Sequence, residues 1–129
     1  MIKDREKIIY PELSYKIVGC LFEVYNNVGS NHREKYYQNA LSCELKSKGI
    51  KFKEQTPIDL RYKTTNIGKN YLDFLIEDKI IIEIKTGPYF TKRNLDQILD
   101  YLKISGLKLG IIVNFGRDSV KFYRVLNIK

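Results

Sequence analysis

The sequence is poor in cysteine and histidine, with only Cys20, Cys43 and His32 among 129 residues. Three such side chains are too few for a zinc site of the usual thiolate and imidazole type. Any bound metal must therefore be held by oxygen ligands, which favours magnesium or manganese. Both cysteines fall in helical patterns with apolar neighbours. We expect them to be buried free thiols in a reducing compartment, which predicts a cytoplasmic location.

The chain also lacks long apolar runs, internal repeats and low-complexity tracts. No stretch approaches the roughly 20 apolar residues of a membrane helix. Residues 1–10 are rich in charge and have no apolar core like that of a signal peptide, so we expect no membrane association. With 43% hydrophobic and 29% charged residues, the composition is that of one globular domain. We place this domain at residues 12–129, after an N-terminal arm of residues 1–11.

Positive charge is in excess. Lysine and arginine number 23 against 15 acidic residues, which gives a formal net charge of +8. A small basic protein commonly has a polyanionic partner such as nucleic acid, although self-repulsion also keeps a protein soluble. No helix-turn-helix, zinc-finger or RNA-recognition signature occurs, so we expect any nucleic-acid binding to have low sequence specificity.

The residue pattern predicts an α/β (α+β) fold with a mixed sheet. Apolar periodicity predicts helices at 12–28, 32–48 and 92–105. Short stretches with the pattern of extended chain predict strands at 51–55, 58–63, 72–76, 80–85, 109–114 and 120–125, with a turn at 64–70. Because a helix connects strand 80–85 to strand 109–114, these two strands are expected to be parallel. The sheet is therefore expected to be mixed, with helices packed against it.

Two acidic residues and a lysine are predicted to meet on this sheet. Glu83 and Lys85 are two apart on strand 80–85, so they share a face, and the rest of the strand is apolar enough to be central. If residues 77–79 form a three-residue hairpin loop, the apolar residues of both strands share one face. Asp73 then lies opposite Glu83 on the other face.

This constellation has two interpretations. A divalent cation held by Asp73 and Glu83 would relieve the repulsion between the carboxylates. Lys85 could then orient or help to deprotonate a water molecule, or stabilise charge on a phosphate. Alternatively, the three side chains form a buried salt-bridge cluster without chemistry. Spacing alone does not decide between them, because Glu-x-Lys is a common tripeptide.

The spacing from Asp73 to Glu83-x-Lys85 resembles the metal site of the PD-(D/E)XK nuclease superfamily. More narrowly, the chain from about residue 13 to 125 resembles the small bacterial GxxExxY proteins assigned to that superfamily. Two strings carry this narrower resemblance: 28–41, VGSNHREKYYQNAL, and 106–116, GLKLGIIVNFG.

Within the first string, Glu34 and Tyr37 fall on the glutamate and tyrosine that name the GxxExxY family. Asn31 stands where the family has its first glycine, and asparagine tolerates the left-handed backbone that such a turn needs. The second string resembles a strand that ends in Asn-Phe-Gly. Core packing is an equally good explanation for Tyr37.

The resemblance implies a restriction-endonuclease-like αβββαβ core and Mg²⁺ or Mn²⁺ as cofactor. It implies that Asp73 and Glu83 are metal ligands, that Lys85 is the catalytic lysine and that Glu34 helps to complete the site. A glutamate in the first turn of a helix also interacts favourably with the helix dipole. A purely structural role for Glu34 is therefore the alternative.

Four residues of helix 92–105 are predicted to bind substrate. Gln97 and Tyr101 are four apart and share a helix face with Arg93. They resemble the QxxxY element that several nucleases of the superfamily place beside the metal. Lys92 and Arg93 flank the predicted site. The alternative is an ordinary polar helix face.

Three functions are compatible with the sequence. The first is a divalent-metal-dependent nuclease that hydrolyses phosphodiester bonds in DNA, or less readily in RNA, with low sequence specificity. The others are a catalytically weak or silent nucleic-acid-binding module and a protein-interaction subunit on the same fold. A homodimer is compatible with the first function, because small nucleases of this type often need two sites for a duplex.

Overall fold

The computed structural model describes residues 9–128. These residues form three helices and five strands: α1 (Pro11–Val28), α2 (Glu34–Ser47), β1 (Phe52–Tyr62), β2 (Thr65–Ile76), β3 (Ile80–Thr86), α3 (Lys92–Ser105), β4 (Leu109–Phe115) and β5 (Val120–Leu126). Of the predicted N-terminal arm, residues 1–8 lie outside the described residues. Pro11 is already the first residue of α1, where its fixed φ suits a helix start.

The five strands form one mixed sheet in the order β1-β2-β3-β4-β5. Strands β3 and β4 are parallel, and the other neighbouring pairs are antiparallel. The parallel pair joined through α3 is therefore confirmed, as is the central position of β3. Both follow from the apolar character of this strand and from the helical crossover after it.

The hairpin between β2 and β3 has the predicted register, with Ile76 paired to Ile80 and Phe74 paired to Ile82. Its three-residue loop contains Glu77 and Asp78 at φ values of 54° and 57°. The loop length keeps the apolar residues of the two strands on one face of the sheet.

Helices cover both faces of the sheet. Helices α1 and α2 pack on one face, against a cluster that includes Phe74, Ile82 and Val113. Helix α3 packs on the opposite face, against a cluster that includes Leu72, Ile81 and Ile112. The candidate site lies between these layers, at the end of β3 from which the crossover to α3 departs.

The outer hairpin of the sheet differs from its prediction. The two strands predicted at 51–55 and 58–63 are a single strand, β1 (Phe52–Tyr62), which continues through Pro57. Pro57 is tolerated because β1 is an edge strand, where a missing backbone donor can face solvent. The predicted turn at 64–70 is also wrong: Tyr62 pairs with Thr65, so the polar residues that follow belong to β2.

Two smaller predictions are also wrong. Helix α2 begins at Glu34 rather than at residue 32, because Asn31 has a left-handed φ of 69° and Arg33 is extended. This φ agrees with the expected tolerance of asparagine for such a turn. Both cysteines are free, but only Cys20 is buried, while Cys43 is exposed on α2.

Candidate active site

Strand β2 is irregular at Asp73, where its ladder with β3 has ended while its pairing with β1 continues on both sides. The ladder between β2 and β3 ends at the pair Phe74 and Ile82. Leu72 packs with the α3 cluster and Phe74 with the α1–α2 cluster, although residues two apart on a regular strand share a face. Opposite Asp73, Gln55 of β1 has a positive φ of 48°. Both β1 and β2 are therefore irregular here, and a gap without ladder hydrogen bonds lies between β2 and β3 at Asp73.

Asp73 and Glu83 are held in this gap by a reciprocal pair of hydrogen bonds. The backbone N–H of Asp73 donates to Glu83 Oε2 at 3.0 Å. The backbone N–H of Ile84 donates to Asp73 Oδ2 at 2.7 Å. Each carboxylate is thus oriented by the strand opposite it, much as outer hydrogen bonds orient metal ligands. The predicted convergence of the two carboxylates is present.

Burial makes the paired carboxylates costly to ionise. Glu83 is only 6% exposed, and its pKa is raised to about 8, first by burial and then by the charge of Asp73. Burial also raises the pKa of Asp73, against the lowering effect of the hydrogen bond from Ile84. Without a bound metal ion, the pair therefore favours holding a proton over carrying two negative charges.

Lys85 is half-buried on β3, one strand repeat after Glu83. Its positive charge lowers the pKa of both Asp73 and Glu83, so it lies close to them. Among residues 9–128, however, its ammonium forms no salt bridge within 4.0 Å of either carboxylate. The contacts that define a closed salt-bridge cluster are therefore missing, which speaks against the purely structural interpretation.

Helix α2 brings Glu34 towards the same place. Partial desolvation raises the pKa of Glu34, Lys85 lowers it and Asp73 raises it, so the three groups are neighbours. One turn later, Gln38 Nε2 donates to the backbone oxygen of Asp73 at 3.1 Å and to Glu54 Oε1 at 3.1 Å. Gln38 was not among the site residues predicted from the sequence. Its spacing of four from Glu34, which places both on one helix face, was the available signal.

On the opposite face of the sheet, Tyr101 of α3 adjoins the site. Its side chain is 4% exposed. Burial raises the pKa of its hydroxyl, the charge of Glu83 raises it further, and a side-chain hydrogen bond with Asn70 lowers it. Tyr101 therefore forms part of the wall behind Glu83.

The other predicted substrate residues of α3 do not contact the carboxylates. Gln97 is half-buried and Arg93 is exposed, and neither forms a hydrogen bond or ion pair with Asp73 or Glu83 in the part of the chain that the structure describes. The Lys92 ammonium is bound to Asp96 at 3.0 Å, within its own helix. These three side chains are therefore on α3 beside the site and are not part of the carboxylate cluster.

Tyr37, from the first of the two strings, belongs to the core. Its ring is fully buried and stacks on Phe115 with the ring centroids 4.3 Å apart and the planes at 3°. Its hydroxyl donates to the backbone oxygen of Gly29 at 2.6 Å. Tyr37 therefore joins the turn before α2 to the end of β4 and does not reach the carboxylates.

The donor set fits a hard divalent cation. The half-buried Asp73 and the buried Glu83 offer carboxylate oxygens that are already oriented by hydrogen bonds and form no salt bridge with Lys85. Within residues 9–128, no group of three or more histidine, cysteine or acidic side chains is arranged as a metal cluster. Two protein carboxylates suit Mg²⁺ or Mn²⁺, because Mg²⁺ usually retains several waters at such sites.

Comparison with known proteins agrees with this geometry. The sequence model of one protein family, the PD-(D/E)XK nuclease superfamily, matches residues 11–125. The chain belongs to the PD-(D/E)XK nuclease superfamily. Nucleases of this superfamily generally use divalent metals. No curated protein matches the chain.

The fold of this PD-(D/E)XK chain is shared with a solved structure, the crystal structure of SSO0001. The two chains are 23% identical, with a TM-score of 0.59 over 74% of this chain. The match covers 50% of the length of the solved chain. At this identity the likeness concerns the fold alone. Between residues 9 and 128, no helix has the length and apolar character needed to cross a membrane.

Proposed function

We propose that this member of the PD-(D/E)XK superfamily is a divalent-metal-dependent nuclease. It hydrolyses phosphodiester bonds in DNA, and less readily in RNA, with low sequence specificity. The pair formed by Asp73 and Glu83 carries the proposal. The carboxylates of the buried Glu83 and the half-buried Asp73 are each fixed by a backbone N–H of the opposite strand, and neither forms a salt bridge with Lys85.

In this proposal Asp73 and Glu83 hold one Mg²⁺ or Mn²⁺ ion. Two negative charges on a buried Glu83 and a half-buried Asp73 are unfavourable for the stability of the fold, since burial raises the pKa of both carboxyls. A divalent cation supplies the missing positive charge, and when bound it supplies Lewis acidity towards the phosphate.

Lys85 is the proposed catalytic residue. Its ammonium lies near both carboxylates yet is not bound to them, so it can donate a hydrogen bond to a phosphate oxygen or orient an attacking water. Glu34 is close enough to interact electrostatically with Lys85 and Asp73. We propose that it helps to hold the Lys85 ammonium in place.

The proposed substrate contacts lie on and beside α3. We propose that the exposed side chains of Arg93 and Lys92 bind phosphates, that Tyr101, whose hydroxyl is close enough to interact with the charge of Glu83, lines the substrate site, and that the half-buried Gln97 of the same helix also contacts substrate. Phosphate contacts position a strand without reading its bases. Together with the net charge of +8, they support binding of low sequence specificity.

We infer that the chain is a member of the GxxExxY group, because Glu34 and Tyr37 match its motif and residues 114–116 read Asn-Phe-Gly. We also propose that residues 12–129 form a single domain in a cytoplasmic protein. A homodimer would place two sites on one duplex.

A cleavage screen tests this function. The purified chain is incubated with single-stranded, duplex and branched DNA and with RNA, in Mg²⁺, in Mn²⁺ and in EDTA. Cleavage of DNA that requires the divalent ion is the expected result. Binding without cleavage under every condition would point instead to the silent nucleic-acid-binding module, and neither binding nor cleavage would point to the protein-interaction subunit.

A further inference from the structure

A cavity of about 640 Å³ lies beside the candidate active site. Three loops line it: the turn before α2, the segment after β3 and the segment after β4. Its lining includes Ser30, His32, Thr86, Gly116 and Arg117. Thr86 directly follows Lys85, and His32 lies two residues before Glu34, so the cavity adjoins the proposed catalytic groups.

Each of the three loops is fixed by a hydrogen bond from a side chain to a backbone oxygen. Tyr37 donates to Gly29 at 2.6 Å. The Asn114 amide donates to Gly87 at 3.0 Å. Tyr25 donates to Gly116 at 2.8 Å.

The stacked rings of Tyr37 and Phe115 join two of these loops through the core. Gly116 also has no room for a side chain, since a Cβ atom there would lie 2.9 Å from the Ser119 oxygen. The cavity is therefore formed before any ligand arrives, which lowers the entropic cost of binding. Tyr37 and the Asn-Phe-Gly string, which the proposed chemistry does not use, help to build its walls.

The lining has the character of a nucleotide site. Arg117 supplies an exposed guanidinium, no acidic side chain lines the cavity, and the remaining polar groups are short. In the described part of the chain Arg117 forms no salt bridge. The ring of His32 stands edge-on to Tyr36 and Tyr37, with centroid distances of 6.3 and 6.2 Å, and offers a planar wall.

The volume of the cavity favours a whole nucleotide over a bare phosphate ion as its ligand. Sites for small organic ligands have volumes of about 300–1,000 Å³, and this cavity is within that range. An arginine recognises phosphate through paired donors, and flat side chains stack on bases of any sequence.

We propose that this cavity binds one nucleotide of the substrate strand, with its phosphate on Arg117 and its base against His32. The inference rests on the proposed nuclease function and adds to it a subsite next to Lys85. A nucleotide held there would fix the position of the adjoining phosphodiester bond relative to Asp73 and Glu83, which is the positioning that catalysis requires.

The test measures binding without metal and without turnover. The full chain in EDTA is titrated with dTMP, thymidine and inorganic phosphate while backbone amide signals are followed by NMR. We expect dTMP to bind more tightly than either fragment and to shift the signals of residues 29–32, 86–88 and 115–117. Shifts confined to other surfaces, or equal binding of phosphate and dTMP, would overturn the inference.

A pair of matched variants sharpens the result. Arg117→Gln is expected to weaken dTMP binding about tenfold, because a charge-assisted hydrogen bond is lost. Arg61→Gln on β1 removes the same charge far along the outer hairpin and is expected to change the affinity less than about twofold. Ser30→Phe, which fills the cavity without altering charge, is also expected to weaken binding. Equal effects of the two arginine variants would overturn the inference.

The nucleotide subsite and the proposed nuclease function can be refuted independently of each other. A chain that cleaves DNA in Mn²⁺ but does not bind dTMP in this cavity overturns the subsite and leaves the nuclease. A chain that binds dTMP here but cleaves no substrate overturns the nuclease instead.

Discussion

Glu83 should make the stability of the metal-free protein fall as pH rises. Its pKa is raised from 4.5 to about 8 in the folded chain, so between these values the folded state holds a proton that the unfolded state releases. The free energy of unfolding then decreases with increasing pH by about 1.4 kcal/mol per pH unit. Summed up to pH 8, the loss is on the order of 4 kcal/mol.

Neighbouring groups act in the same direction. The pKa values of Asp73 and Glu34 are also raised, and each adds to the loss of stability at high pH. A divalent cation competes with the proton for the carboxylates, so Mg²⁺ should stabilise the protein at pH 8 much more than at pH 5.5.

Urea denaturation followed by circular dichroism at pH 5.5 and pH 8, in EDTA, measures this effect. Glu83→Gln cannot lose a proton and should flatten most of the pH dependence, while Glu12→Gln, an exposed carboxylate on α1, should retain it. Equal unfolding free energies of the parent chain at both pH values would refute the reasoning. So would a Glu83→Gln variant with the parental pH dependence.

Lys85→Ala should abolish cleavage while leaving the melting temperature and DNA affinity near those of the parent, because the ammonium forms no salt bridge with the carboxylates. A loss of about 3–5 kcal/mol in the free energy of unfolding would instead indicate a salt-bridge cluster. DNA affinity, measured by fluorescence anisotropy, should fall by about tenfold or more between 50 and 200 mM salt, and a flat response would point to a protein partner. Tyr37→Phe should lower the unfolding free energy by about 1 kcal/mol through loss of the bond to Gly29, and unchanged urea denaturation would contradict that role.

The centre of the sheet was predictable because its residues leave few alternatives. Alternating isoleucines around a three-residue loop allow one register that keeps the core apolar, and that register places Asp73 beside Glu83. The helical crossover requires β3 and β4 to be parallel. Each of these constraints acts between segments that are close in sequence.

The outer hairpin and the walls of the site were less predictable. Pro57 and the polar residues 65–70 resemble loop sequence, and only their position at an exposed sheet edge permits a strand. The hydrogen bond from Gln38 to Asp73 depends on where α2 docks. The cavity is formed by three loops that are distant in sequence, so no local pattern indicates it.

The central claim is that Asp73 and Glu83 hold a divalent cation that this chain uses to cut DNA. Single-turnover cleavage of end-labelled DNA in Mn²⁺ tests it most directly, with Asp73→Asn compared against Asp59→Asn, a change of the same kind at a partly exposed position on β1. The proposed site predicts metal-dependent cleavage by the parent and by Asp59→Asn, and a loss of at least about a hundredfold in Asp73→Asn. Cleavage by Asp73→Asn at the parental rate would contradict it.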